Sequence, residues 1–277
     1  MIEGKRILIP GGGGSIGSEL VRQLSVHNKV FIFDNNETAA FDLSEELKQK
    51  GRWVEYRIGD IRDARSVHDV FSDFKPEIII NAAALKHVSP SQLYPREYVE
   101  TNIIGHLNLI EEAKRWESVE KFIYISTDKS VAEKKNVMGA TKMCSETIHT
   151  TMGEGYIAVR FGNVLGSRGS LLEIWARQYK NKEPLTITDE RMTRYIMTIP
   201  EACSLVIEAA EQGQGDEVFI FDMGPPKKII DLKNELYGVD YPVKIIGMRP
   251  GESLHERLMT EDEQKRAIKK GKFLILI

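Results

Sequence analysis

Cysteine is almost missing from this chain, and its absence is the first constraint. Cys144 and Cys203 are the only two among 277 residues. They lie far apart and form no CxxC, so no disulfide framework and no metal site is expected, and a reducing compartment is. Long apolar runs are also missing: none approaches the roughly 18 residues that span a bilayer. The N-terminus enters a strand almost at once, leaving no room for a signal peptide. A soluble, cytoplasmic protein with no membrane partner is therefore expected. Charge of one sign is lacking as well, because a net charge of −3 with scattered signs gives no basic footprint for nucleic acid. There are no repeats and no low-complexity segments. The length fits one large α/β domain, or a large domain with a smaller lobe.

Glycine, by contrast, is concentrated where it can do chemistry. The apolar run from Lys5 to Ile9 reads as a short strand, and Ser18 to Leu24 has helical apolar spacing. Between them stand Gly11, Gly14 and Gly17, with Ser15 and Ile16 in the turn. Glycines at this spacing permit a tight turn and let the backbone approach a pyrophosphate, whose charge the helix N-terminus favours. The next strand, Val30 to Phe33, closes on Asp34. A carboxylate there hydrogen-bonds both ribose hydroxyls and repels a 2′-phosphate, so NAD is favoured over NADP.

Strands and helices alternate through the first two-thirds, which predicts an α/β fold, a Rossmann doubly wound parallel sheet. Further strands are expected at Trp53–Ile58, Glu77–Asn81, Phe122–Ser126 and Tyr156–Phe161, with helices near Glu37–Lys50, Asp63–Phe74, Tyr98–Trp116 and Asn136–Thr151. Residues 1–165 are read as the NAD-binding domain, with late elements near 194–224. Residues 166–193 and 225–277, where prolines and glycines multiply, are read as a smaller substrate lobe. The charge run 261–272 reads as a solvated helix face. Small side chains at Ala82 and Ala83, after the fourth strand, let a cofactor lie against the backbone. Thr127, Asp128 and Lys129 stand where the fifth strand ends, the edge at which open α/β sheets bind ligands. Lys142 shares a helix face with Met138, four residues earlier.

Seven stretches carry a family resemblance: GGGGSIGSEL at 11–20, NAAALKHV at 81–88, STDKS at 126–130, NVMGATK at 136–142, RFGNVLGSRGS at 160–170, LTITDERMTRY at 185–195 and RPGESLHERL at 249–258. In that order they resemble the extended short-chain dehydrogenases. Within these they are similar to the nucleotide-sugar 4,6-dehydratases of polysaccharide biosynthesis that act on UDP-N-acetylglucosamine. Pro10 stands where the family usually has Thr, and the region Asp231–Tyr241 is shorter than usual; Met138 replaces the Tyr of a Tyr-x-x-x-Lys pair, which marks a methionine-bearing branch. Membrane-bound relatives carry N-terminal transmembrane helices, so this chain looks like a soluble member limited to the catalytic domain.

The resemblance implies roles. Asp128 and Lys129 occupy the positions of the Asp-Glu pair in the related dTDP-glucose 4,6-dehydratases, which makes Asp128 the acid for the leaving hydroxyl and Lys129 the base for carbon 5. Thr127 matches the hydroxyl donor to the carbon 4 oxygen, and Lys142 the holder of the nicotinamide ribose. Asp60, with Ile61, matches the adenine-contacting acid. Lys86 and His87 face the sugar. Asn163 and Arg168 lie in the loop after the sixth strand, and Arg194, Arg249 and Glu252 in the later lobe. Arg249 is the best match for gripping the diphosphate, Glu252 suits the uridine ribose, and Arg168 and Arg194 are equally open to a plain surface role. For this chemistry Asp128 must be protonated and Lys129 neutral. With Met138 unable to take it, the carbon 4 hydroxyl proton leaves through Lys142, Asp128 or a water. A UDP-sugar substrate and a homo-oligomer are expected. Three readings compete: a 4,6-dehydratase, a UDP-sugar 4-epimerase sharing the transient ketone, and a non-catalytic NAD-binding regulator.

Overall fold

The computed structural model describes residues 2–131 and 136–277. Six segments pair side by side in parallel, all but the edge strand β3 largely apolar: β1 (Arg6–Pro10), β2 (Lys29–Asp34), β3 (Glu55–Ile58), β4 (Ile78–Asn81), β5 (Lys121–Ile125) and β6 (Tyr156–Arg160). A seventh, β7 (Glu217–Phe221), joins β6 in parallel, and β8 (Ile268–Lys270) and β9 (Phe273–Leu276) close that edge antiparallel. The order is β8-β9-β7-β6-β5-β4-β1-β2-β3. Winding reverses between β1 and β4, so their C-terminal ends open a crevice at the topological switch point. This is the doubly wound parallel sheet that the alternating pattern predicts.

The strands read as continuous apolar runs because both faces are covered. Along β1, Ile7 and Ile9 face one core, with Leu20, Val21 and Ala202, while Leu8 faces the other, with Val67, Phe71 and Leu109. The covering helices include α1 (Ser15–Leu24), α2 (Glu37–Gln49) and α3 (Ala64–Phe74). Asn36 and Asp63 cap the last two, accepting from the amides of Ala39 and Arg65.

The helix expected over Tyr98–Trp116 is broken into pieces. After the short helices α4 (Val88–Leu93) and α5 (Pro95–Tyr98) the chain makes a π-helical turn over Val99–Ile104, and α6 (Gly105–Ala113) begins only then. Asn102 explains the break. Its side chain binds the amide and carbonyl of Leu85 at 2.8 and 3.0 Å and Thr141 Oγ1 at 3.0 Å, while its own carbonyl accepts from Ser145 Oγ at 2.6 Å. A residue bonded on all sides to other segments cannot keep α-helical register. The next long helix, α7 (Val137–Thr150), starts at an Asn136 cap as expected.

The last third departs further from the sequence reading. Of the charge run 261–272, only α11 (Glu261–Arg266) is a solvated helix; Ile268–Lys270 is an edge strand whose lysines discourage further pairing. Residues 268–276 also return to the main sheet, whereas the sequence assigns them to the substrate lobe. Phe273 drives this, packing edge-on to Phe219 with ring centroids 5.2 Å apart. Between β6 and β9 lie α8 (Leu171–Lys180), α9 (Ile199–Gln212) and α10 (Ile229–Tyr237). Short ribbons pair Leu185–Ile187 with Val243–Ile245 and Thr193–Arg194 with Lys227–Lys228 around a separate core on the fully buried Trp175. No helix among the described residues is long and apolar enough to cross a membrane.

Candidate active site

At the crevice, β1 runs into a glycine turn packed without slack. Gly11 has φ +75°, and a Cβ there would stand 2.5 Å from the Ala83 amide nitrogen. A Cβ on Gly17 would stand 2.1 Å from the Gly11 carbonyl oxygen. Ala82 donates its amide to the Pro10 carbonyl at 2.9 Å, so Ala82 and Ala83 lie directly on this turn. Gly14 occupies the N-cap of α1 and no side chain caps the helix, leaving the first-turn amides of Ser15, Ile16 and Gly17 to face an anion. Asp34 closes β2 beside the turn and accepts from the amides of Gly13 and Asn36 at 2.8 and 2.9 Å. An uncapped helix start, a glycine cradle and a carboxylate on the adjacent strand fit a dinucleotide. Asp60 lies one strand further, with its carboxylate turned onto Arg62 at 2.7 Å, and Ile61 is buried with its side chain against Gly105.

The structure places Arg168 against the glycine turn. Its amide donates to Ser15 Oγ at 3.0 Å and its guanidinium reaches the Gly13 carbonyl.

Beyond β5 the backbone turns sharply and buries Asp128 completely. Thr127 Oγ1 and Lys129 Nζ both donate to Asp128 Oδ1, at 2.9 and 3.0 Å. The Lys129 ammonium also donates to Asn163 Oδ1 at 2.9 Å and to Glu256 at 3.2 Å. Asn163 thus holds Lys129, and the Thr127 hydroxyl donates to Asp128. Glu256 pairs in turn with Arg194 Nε at 3.3 Å. The remaining Arg194 donors go to the carbonyls of Thr193, Ser253 and Leu254, so Arg194 fastens this segment and is neither a surface residue nor free for a diphosphate.

Burial and charge set the ionisation of this cluster. Burial raises Asp128, but the Lys129 ammonium and the hydrogen bonds from Glu256, Lys129 and Thr127 outweigh it and leave Asp128 below the usual carboxylate range. Burial depresses Lys129, and the charges of Asp128 and Glu256 more than reverse it. Glu256 is driven up to about 7 by burial, against the pull of Lys129 and with the push of Asp128. At rest, therefore, Asp128 is ionised and Lys129 charged, the reverse of the forms expected from the sequence. A proton passing across their 3.0 Å contact converts one form into the other.

Lys142, on α7, donates to the Ile125 carbonyl at 2.6 Å and lies over the Tyr124 ring at 4.1 Å. Burial pulls it down to about 7, against the opposing charge of Glu146. Met138 is buried at 2% exposure, a packing residue.

A cleft of about 600 Å³ opens above Lys129, Asn163 and Glu256. Lys86, His87, Arg249 and Glu252 line its walls. Lys86 Nζ donates to Ser167 Oγ at 3.2 Å, and burial lowers both Lys86 and His87. Arg249 is exposed and lines the cleft, while its amide is held by Glu252 Oε2 at 3.0 Å. The structure thus gathers Thr127, Asp128, Lys129, Asn163 and Arg194 around one cluster, sets Lys86, His87, Arg249 and Glu252 on the cleft, and bonds Arg168 to the glycine turn. Sequence reasoning missed Glu256 and Asn102. Glu256 lies inside the RPGESLHERL stretch, but no local spacing ties it to Lys129.

Comparison with known proteins follows the same lines. The profile of a family described as polysaccharide biosynthesis protein matches residues 7–277. The capsular polysaccharide biosynthesis protein CapD of Staphylococcus aureus is 42% identical over 94% of this chain and 46% of its own length. A UDP-N-acetylglucosamine 4,6-dehydratase (inverting) of Campylobacter jejuni is 34% identical over 95% of this chain and 80% of its own. The chain thus spans less than half the length of the capsular relative. Among solved structures, Pen from Bacillus thuringiensis superposes with a TM-score of 0.89 at 34% identity, covering 99% of this chain and 88% of its own. The UDP-glucose 4-epimerase of Thermus thermophilus, solved with NAD, gives 0.75 at 25% identity, covering 92% and 90%.

Proposed function

The chain belongs to the polysaccharide biosynthesis protein family, and from that premise we propose that it is an NAD-dependent nucleotide-sugar 4,6-dehydratase acting on UDP-N-acetylglucosamine. The observation that carries this reading is the buried Asp128–Lys129 pair, 3.0 Å apart at the end of β5 and opening on the cleft. Removing water across carbons 5 and 6 needs a base for the carbon 5 proton and an acid for the leaving hydroxyl, and an epimerase needs neither. NAD, when bound, would accept the carbon 4 hydride and return it to carbon 6. Gly11, Gly14, Gly17 and the α1 amides would hold its pyrophosphate, Asp34 its adenosine ribose and Lys142 its nicotinamide ribose.

Within the protein the steps are proton transfers. The proton of Lys129 passes to Asp128, leaving a neutral amine to take the proton from carbon 5. Asp128 then protonates the carbon 6 hydroxyl as the carbon–oxygen bond breaks, and water departs. Lys129 later returns its proton to carbon 5 and is recharged by the proton that the carbon 4 hydroxyl released on oxidation. Arg249 on the cleft suits the diphosphate and Glu252 the uridine ribose. The test is an incubation with UDP-N-acetylglucosamine read by mass spectrometry. A product lighter by one water is expected; an isobaric galacto sugar would refute the dehydratase reading, and no change at all would favour a non-catalytic NAD-binding protein.

A further inference from the structure

We propose that Glu256 stores the proton released by the carbon 4 hydroxyl, the task for which this chain has no tyrosine at 138, and hands it back through Asp128. The inference rests on the reading above for the sugar and its ketone. It stands on geometry: one ammonium, Lys129, reaches both acids at 3.0 and 3.2 Å, and Glu256 is 7% exposed and Asp128 0%. The Asp128 charge acts directly on Glu256. Asp128 Oδ2 is buried with no donor among the described residues. The charged groups facing Glu256 are Asp128 and Lys129 after β5 and Arg194 on its short ribbon, with Lys86 on the cleft wall lowered by the Lys129 charge. Two cations against two anions balance while both acids are ionised. One more proton then goes to the acid that holds it best, and burial has raised Glu256 to about 7.

The transfers close. As carbon 4 becomes a carbonyl, its O–H bond breaks and the proton moves through Thr127 Oγ1 and Asp128, which are 2.9 Å apart, onto Glu256. Glu256, now neutral, no longer holds Lys129 as an ammonium, and Lys129 passes its own proton to Asp128. Lys129 takes the carbon 5 proton, Asp128 gives its proton to the departing hydroxyl, and Lys129 returns a proton to carbon 5. Glu256 then restores the proton to Lys129. One proton has entered from the substrate and one has left in water. Glu256 touches no reacting atom in this scheme and is a positioning residue.

The test is the rate at which reduced dinucleotide forms, read by its absorbance after mixing with substrate. Storage needs an ionised Glu256, so the wild-type rate should climb with pH up to about 7 and then level. Glu256→Gln should slow this first oxidation by about 10- to 100-fold, flatten that limb and leave KM within about twofold. Glu256→Asp should restore the limb, because it still titrates. Infrared spectroscopy supplies a second readout that needs no turnover: a protonated-carboxyl band should grow on adding sugar nucleotide to wild type and be missing in Glu256→Gln. A Glu256→Gln protein that oxidises with the wild-type limb, or loses turnover with the limb unmoved, overturns the proposal. An isobaric product would instead sink the dehydratase reading while leaving the oxidation assay valid, since epimerisation passes through the same ketone.

Discussion

Replacing Lys129 by methionine is the perturbation with the most to reveal. The ammonium is held between Asp128, with a side chain 0% exposed, and Glu256, 4% exposed. Methionine keeps much of the stem and removes the charge, so two buried carboxylates are left facing Arg194 alone. Removing one partner of a buried pair costs about 3–5 kcal/mol. At about 2–4 °C per kcal/mol for a chain of this size, the melting temperature should fall by about 6–20 °C near neutral pH. The sign of the pH dependence follows from which state binds protons. In the variant the stranded carboxyls have folded pKa values above their unfolded ones, so the folded state binds the extra proton and regains stability as pH falls from about 8 to about 5. The gap between wild type and variant should therefore be narrower at pH 5 than at pH 8 in scanning calorimetry. Turnover should drop by about 10²–10⁴-fold with NAD still bound, and reduced dinucleotide should accumulate. A melting shift below about 2 °C, or one that widens in acid, would show that the ammonium does not neutralise these acids. Near-normal dehydration would move the base role to Lys86 or Lys142.

Asp34→Ala removes the acceptor for the Gly13 and Asn36 amides; NAD affinity should fall at least about tenfold, or 1.4 kcal/mol, and the preference over NADP should vanish by calorimetry. Arg160→Met strands Glu146 and Glu263, which it pairs with inside the fold; about 3–5 kcal/mol of stability should be lost in denaturant unfolding, while turnover of the folded fraction stays near wild type. Lys142→Met removes a lysine held down to about 7. Because the unfolded wild type binds more protons between there and about 10.4, its stability relative to the variant should climb with pH across that window and flatten outside it.

What could be read from the sequence was whatever is local. Strands buried on both faces announce themselves as apolar runs, so β1, β2 and β4–β6 were legible, and so was the glycine turn, whose function is a property of adjacent residues. The helix expected near Asn136–Thr151 likewise matches α7. The π turn over Val99–Ile104 was not, because its cause is the bonding of Asn102 to Leu85, Thr141 and Ser145, contacts that no periodicity encodes. Nor was the return of β9 to the sheet, which depends on Phe273 meeting Phe219. In the site the same limit holds. Asp128 and Lys129 are neighbours in sequence, whereas Glu256 stands 127 residues from Lys129.

That distance bears on how one scaffold divides between two reactions. Epimerases and dehydratases both need a carbon 4 ketone and a dinucleotide, and the glycine turn, Asp34 and the parallel sheet serve either. What an epimerase does not need is a base for carbon 5, and a charged lysine is no base. Lys129 beside a single ionised aspartate would be charged, and beside two it would be more so. A second acid helps the elimination only if it is neutral when Lys129 must act. Glu256 meets that condition because burial holds its proton near neutrality while Arg194 keeps its anion tolerable when the proton leaves. The same reasoning accounts for Met138: once the hydroxyl proton has a destination at the end of β5, position 138 is released from proton chemistry and is free to pack. Met138→Tyr should then add no rate and should destabilise by about 1–3 kcal/mol, since the site is 2% exposed. A Met138→Tyr protein that oxidises carbon 4 faster than wild type would show that the store at Glu256 is not sufficient.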